Sequence, residues 1–177
     1  MSRLSRRDNI SQSLLHNHET PMDDLDSSAE NPGERELLAT RVEGVVLYVE
    51  DDTDTRDAMG ILLRAAGLAV HEADSPESAL ARADSIGTDL DVLIVDYHLG
   101  DTMTGTELAE ALARKLGHGV PTIILTGDPA NAEMPWLRNS PVWLMRKPAD
   151  PLTLISGLHP LIEFRRAMRR VATARTG

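Results

Sequence analysis

Cysteine is missing from the chain. No disulfide framework, thiol nucleophile or cysteine-ligated metal can therefore support its fold or its chemistry. Long apolar runs are missing as well. The longest, such as Val45–Val49, span about five residues, where a membrane-spanning helix needs roughly 20. Arg3, Arg6 and Arg7 give the N-terminus a basic start, but no apolar stretch follows, so no secretory signal is expected. Bases are scarce, 18 against 28 acids, for a net charge of −10. That balance argues against a chain built mainly to hold nucleic acid, which calls for a basic footprint. What is present is 177 residues, 41% apolar and 26% charged, enough for one domain with a core. A cytoplasmic location is expected.

The acid excess is uneven. Residues 1–40 hold four bases and eight acids, residues 41–160 nine and nineteen, and residues 161–177 five arginines and one glutamate. We expect a flexible N-terminal tail over 1–42, a folded acidic domain over 43–160 and a basic amphipathic helix over 161–177. The tail is polar and carries Pro21, Pro32 and Gly33; it has too little apolar surface to offset its ordering entropy. Good helix formers suggest one short helix from Glu34 to about Glu43. In the last segment Leu161, Phe164, Met168 and Val171 fall on one helical face. With its arginines largely on the other faces, the helix suits docking on the domain, pairing with a second copy or another protein, or contact with nucleic acid or a membrane surface. Gly157 and Pro160 are expected to break or kink any helix that runs on into it.

From Val45 onward, short β-branched runs alternate with Ala/Leu-rich amphipathic stretches. The runs are Val45–Val49, Leu68–His71, Val92–Val95, Thr122–Leu125 and Val142–Met145. Helices are expected over Thr53–Ala66, Ser75–Ile86, Thr104–Leu116, Asp128–Arg138 and Asp150–Leu158. Apolar runs without strict alternation are the mark of strands buried on both faces. Five strands alternating with five helices predict an α/β fold, a doubly wound five-stranded parallel sheet with helices on both faces. Ser75-Pro76, Asp128-Pro129 and Asp150-Pro151 each put a capping side chain before a proline at the first helical position.

In open parallel sheets, ligands bind outside the carboxyl ends of the strands. Strand one runs into Glu50, Asp51 and Asp52, strand three into Asp96, strand four into Thr126 and strand five into Lys147-Pro148. Carboxylates gathered so closely repel one another unless a cation joins them. A hard, oxygen-liking ion such as Mg²⁺ is the natural one. A carboxylate beside such an ion can attack phosphorus, while the metal and a lysine balance charge on the phosphoryl oxygens. Each residue alone has a plainer reading: a helix cap in the acid run, a turn at Thr126-Gly127-Asp128, a surface lysine at 147.

In their order and intervals, the stretches Val45–Asp52, Leu93–Leu99, Ile123–Gly127 and Arg146-Lys147-Pro148 resemble the receiver domain of two-component response regulators. The resemblance covers roughly residues 43–160. It implies a flavodoxin-like strand order, 2-1-3-4-5. It also implies a receiver that takes a phosphoryl group from a phosphohistidine onto Asp96 in a Mg²⁺-dependent reaction. Asp51 would bind the metal, Glu50 would complete the acid pair, and the backbone carbonyl of His98 would be a further ligand. Thr126 would move toward the phosphoryl group and Lys147 would pair with it. The implied partners are a sensor histidine kinase or histidine phosphotransfer protein and a downstream protein target. A homodimer through the C-terminal helix, or through the fourth helix, fifth strand and fifth helix, is a further expectation. No turnover substrate is expected.

Two alternatives stand beside this reading. One is an aspartate-dependent, phosphatase-like hydrolase, although a second acid two residues past the nucleophile is replaced by His98. The other is a degenerate receiver that only binds partners. One departure from the family is plain: many receivers carry Tyr or Phe three residues before the lysine, where this chain has Leu144, with Trp143 one place earlier.

Overall fold

The computed structural model describes residues 41–174 except 101, 102, 136, 138 and 139. Most of the expected N-terminal tail, including its short helix before Arg41, lies outside the described residues. Arg41 to Gly44 are not helical.

The β-branched runs form five parallel strands: β1 (Val45–Val49), β2 (Ala69–Ala73), β3 (Val92–Asp96), β6 (Thr122–Thr126) and β7 (Val142–Arg146). Between β3 and β6 lies a two-residue antiparallel ribbon, β4 (His98–Leu99) with β5 (Met103–Thr104). The main sheet runs β2-β1-β3-β6-β7. Leaving the ribbon aside, this is the expected order 2-1-3-4-5. The register sets Val46 beside Val92, Leu93 beside Thr122 and Thr126 beside Arg146.

The strand runs are apolar throughout because both faces are covered. Val46, Tyr48, Ile94, Ile123 and Leu125 face one core layer. Helices α1 (Thr53–Ala65) and α4 (Pro151–Ala174) close it. Leu47, Val49, Leu93, Val95 and Ile124 face the other, under α2 (Pro76–Ile86) and α3 (Gly105–Leu116). The expected caps are in place at two helices. Ser75 and Ser78 form a reciprocal box ahead of Pro76. Asp150 accepts from the Thr153 amide at 2.8 Å ahead of Pro151.

Two expectations fail. The helix expected over Asp128–Arg138 is absent among the described residues, which run as turns and irregular chain. Asp128 closes a local turn instead, accepting from the Asn131 side chain at 2.7 Å. Pro135 leaves only a few residues for a helix and forces Met134 away from helical geometry. So short a piece does not nucleate by itself. The break expected at Gly157 and Pro160 is not formed either, and α4 runs unbroken for 24 residues. Its buried face carries Leu154, Ile155 and Leu158 before the proline and Leu161, Ile162 and Arg165 after it. That packing outweighs the one backbone bond Pro160 removes, whose acceptor on Ser156 lies on the exposed side.

Candidate functional site

Because the strands are parallel, their carboxyl ends share one sheet edge. Glu50 and Asp51 follow β1, Asp96 ends β3, Thr126 ends β6 and Lys147 follows β7. The neighbouring strand ends are tied by backbone bonds, Lys147 N–H to the Thr126 carbonyl at 2.8 Å and Glu50 N–H to the Ala73 carbonyl at 3.1 Å. The Lys147-Pro148 peptide is cis.

Lys147 Nζ stands between two carboxylates, 2.8 Å from Glu50 Oε2 and 2.7 Å from Asp96 Oδ2. Glu50 is 2% exposed and Asp96 8%. One carboxylate oxygen from each of Glu50, Asp51 and Asp96 lies within 4.8 Å of the others, with Asp51 open to solvent. Burial first pushes the Glu50 carboxyl above its ordinary range; the Lys147 hydrogen bond opposes this and the Asp96 charge adds to it. Burial works against the Lys147 ammonium, but its bonds to Asp96 and Glu50 outweigh burial and hold its pKa above the usual value. Three clustered carboxylates facing one ammonium form an oxygen-rich donor set short of positive charge. Such a set fits a hard divalent cation.

Thr126 is buried at its strand end, and its Oγ1 accepts from the Asp128 amide at 3.2 Å. The hydroxyl thus also serves the local turn. His98 begins the ribbon two residues past Asp96, exposed, with its ring edge-on to Tyr97 at 4.9 Å. Asp52 stays out of the cluster and caps α1, accepting from the Thr55 amide at 2.8 Å.

Several supporting residues escape a sequence reading. Tyr48 is fully buried and donates to Glu50 Oε2 at 3.4 Å. Burial and the Glu50 charge push its hydroxyl far above its ordinary value, so it stays a neutral donor. Arg56 Nη1 donates to the Glu50 carbonyl at 2.8 Å, which steadies the acidic loop. Gly105 packs against the Asp96 backbone, where any Cβ would overlap the Asp96 carbonyl oxygen. Thr106 donates to the Glu133 carbonyl at 2.7 Å, and Glu133 N–H donates to the Tyr97 hydroxyl at 3.4 Å. These two hydroxyls pin the β6–β7 connection beside the residue that follows Asp96. The signals for Arg56 (one turn after the Asp52 cap) and Gly105 (a glycine opening a helix) exist in the sequence, but neither announces its contact.

Trp143 and Leu144 point to opposite faces of β7. Leu144 packs with the layer under α2 and α3, whereas Trp143 lies over Gly157 of α4, where a Cβ would overlap the indole.

Solved structures similar to this chain include the receiver domain of the hybrid histidine kinase CckA. It is 28% identical over 67% of this chain and 99% of that one, with a TM-score of 0.55. The Vibrio cholerae chemotaxis protein CheY4 is 25% identical over 68% and 99%, TM-score 0.56. A CheY-like receiver domain protein from Methanospirillum hungatei JF-1 is 26% identical over 70% and 98%, TM-score 0.59. No curated protein matches. The family described as the response regulator receiver domain matches residues 46–159. With its strand order and its acid-and-lysine edge, this chain belongs to the response regulator receiver domain family.

Proposed function

We propose that the chain is a response regulator whose receiver accepts a phosphoryl group on Asp96 and signals by contact with another protein. The observation that carries this is Lys147 Nζ seated between Glu50 and Asp96, beside a third carboxylate, at the carboxyl edge of the sheet.

The donor would be a phosphohistidine of a sensor histidine kinase or a histidine phosphotransfer protein. An Asp96 carboxylate oxygen attacks phosphorus, the phosphorus–nitrogen bond breaks, and the imidazole leaves with the bond's electrons and takes up a proton. An acyl phosphate remains on Asp96. Bound Mg²⁺, held by Asp51, Asp96, the His98 carbonyl and Glu50 directly or through water, would offset charge on the phosphoryl oxygens. Lys147 supplies the second positive charge and Thr126 a hydroxyl donor. Tyr48 and Arg56 keep Glu50 and its loop in place. No turnover substrate is called for, and the reading suits a cytoplasmic protein. No described helix is long and apolar enough to cross a membrane.

The outcome of phosphorylation must travel by a route suited to this chain. The helix expected before β7 is absent among the described residues. The β6–β7 connection, held by Tyr97 and Thr106, takes its place in the reading.

The test is intact mass after incubation with acetyl phosphate and Mg²⁺. Wild type is expected to gain one phosphoryl group, and Asp96→Asn or wild type in excess chelator to gain none. A wild type that stays unmodified beside a competent receiver, or an Asp96→Asn that still gains the mass, overturns the assignment.

A further inference from the structure

Six large apolar side chains stand exposed among the described residues, and four of them gather on one surface. Trp143 is 39% exposed, Phe164 36%, Met168 40% and Val171 53%. Trp143 lies over Gly157. Phe164, Met168 and Val171 then recur along α4 at steps of four and three residues, the spacing of a helix-pairing seam, in line with Gly157 and Leu161, which are themselves buried against the chain's own core.

Three of the four arginines of this helix are already engaged by the chain itself. Arg165 Nε donates to the Leu90 carbonyl at 3.3 Å, and its Nη2 to His118 Nε2 at 2.8 Å. Arg166 Nη2 donates to the Glu43 carbonyl at 2.8 Å. Arg169 pairs with Asp91 and lies near Asp89. These charges are turned onto the chain's own sheet edge. An acidic peptide, a nucleic acid or an anionic membrane would find mainly an apolar stripe beside them.

What flanks the open side of the stripe is Ala167 and Ala174, then Glu163 and Arg170, seven residues apart on the same side. This arrangement is complementary to itself in one orientation. In an antiparallel pair about a two-fold axis perpendicular to the helices, like flanks meet with their order reversed. Glu163 of each copy then faces Arg170 of the other, twice. Ala167, close to the midpoint, lies opposite itself and lets the helices approach. The far end of one stripe, Val171, falls toward the Trp143 end of the other. A parallel pair would instead need the flank of Arg165 and Arg169, which is docked on the sheet. The Glu163–Arg166 pair within the helix, 3.2 Å and exposed, is weak enough to be exchanged.

We propose that the exposed face of α4, from Trp143 over Gly157 to Val171, is the interface of an antiparallel homodimer. From Ser156 to Ala174 the helix runs roughly 28 Å at ~1.5 Å per residue. An interface of that length is at the small end of stable ones, so association at roughly micromolar concentration is expected.

The absence of native cysteine permits a direct test on the full chain. Under mild oxidation, Ala167→Cys is expected to form a disulfide-linked dimer, while Ala174→Cys, placed away from its own copy, stays single. In sedimentation, Glu163→Arg or Arg170→Glu should each raise the dimer Kd by roughly three- to ten-fold, since two exposed pairs are lost. The double exchange should restore it. Phe164→Glu should give a monomer. Acetyl phosphate uptake, which depends on the opposite sheet edge, serves as the control for folding and for the separate receiver reading. A wild type that sediments as a monomer at every concentration overturns the proposal. So does equal cross-linking of both cysteine variants, which means a parallel pair, or a double exchange that fails to restore association.

Discussion

Lys147 is the residue on which the site's electrostatics turn. It neutralises two buried carboxylates that would otherwise face each other across one strand gap. Lys147→Met would leave Glu50 and Asp96 without a cation. Breaking a fully buried pair costs about 3–5 kcal/mol; Lys147 is 30% exposed, so about 1–2 kcal/mol is expected. A divalent cation that binds only the folded chain should return part of that loss. Thermal melts with and without Mg²⁺ are therefore expected to show a larger metal-induced rise for the variant than for wild type. A midpoint unmoved by Mg²⁺ in both would count against the metal site. Gly105 governs the same place through sterics. Its missing Cβ leaves room for the Asp96 carbonyl, and Gly105→Ala should cost about 1–3 kcal/mol as the helix start is pushed off the strand. Slower phosphoryl uptake should accompany the lower melting midpoint; an unchanged rate would show that Asp96 tolerates the shift.

Among the elements, the β6–β7 connection and α4 depart furthest from what local pattern predicts. The Thr106 and Tyr97 hydroxyls hold the backbone of Glu133, one donating to its carbonyl and the other accepting from its N–H, and Leu137 is buried in the layer under α2 and α3. Thr106→Val removes a donor to the Glu133 carbonyl while keeping the shape, at a cost of about 1 kcal/mol. Amides near Glu133 should then exchange faster with solvent, while those of β3 stay protected; unchanged exchange near Glu133 would refute the clamp. The strand ends were legible because each chemical residue sits at or just past the end of an apolar run: Glu50 after Val49, Asp96 after Val95, Thr126 after Leu125, and Lys147 one residue beyond the run Val142–Met145. Sheet direction then carries them to one edge with no further information. Asp128-Pro129 reads as a helix start for the same local reason that Ser75-Pro76 does. What separates them lies elsewhere in the chain, in the Thr106 and Tyr97 hydroxyls and in Pro135. Likewise Pro160 reads as a breaker until the burial of Leu161, Ile162 and Arg165 is known. Gly157 reads as a weak point until Trp143 is found resting on it.

At the scale of the whole molecule, each edge of the sheet has its own charge cluster, three acids around one lysine at the carboxyl edge and three arginines around Asp91 at the amino edge. The carboxyl edge carries Glu50, Asp51 and Asp96. At the amino edge, Arg165, Arg166 and Arg169 of α4 tie down Leu90, Asp91 and Glu43. His118 belongs to this second cluster. Its Nε2 accepts from Arg165 and its Nδ1 lies 3.2 Å from the Gly119 carbonyl, the pattern of a neutral ring protonated at Nδ1. Burial first, and then the Arg165 charge, hold its pKa below the ordinary value. In the unfolded chain the ring takes up a proton near pH ~6.5. The folded chain takes it up only at lower pH, so between those two values the unfolded state binds more protons. Stability from this contact is therefore complete above about pH 6.5 and falls as the pH drops toward the folded value. His118→Gln keeps an acceptor for Arg165 and cannot titrate. The stability advantage of wild type over this variant, followed by urea denaturation, is expected to shrink on going from about pH 7.5 to about pH 5. A constant difference across that range would mean that Arg165 does not depend on a neutral His118, and that α4 is held to the amino edge by Asp91 and the backbone carbonyls alone.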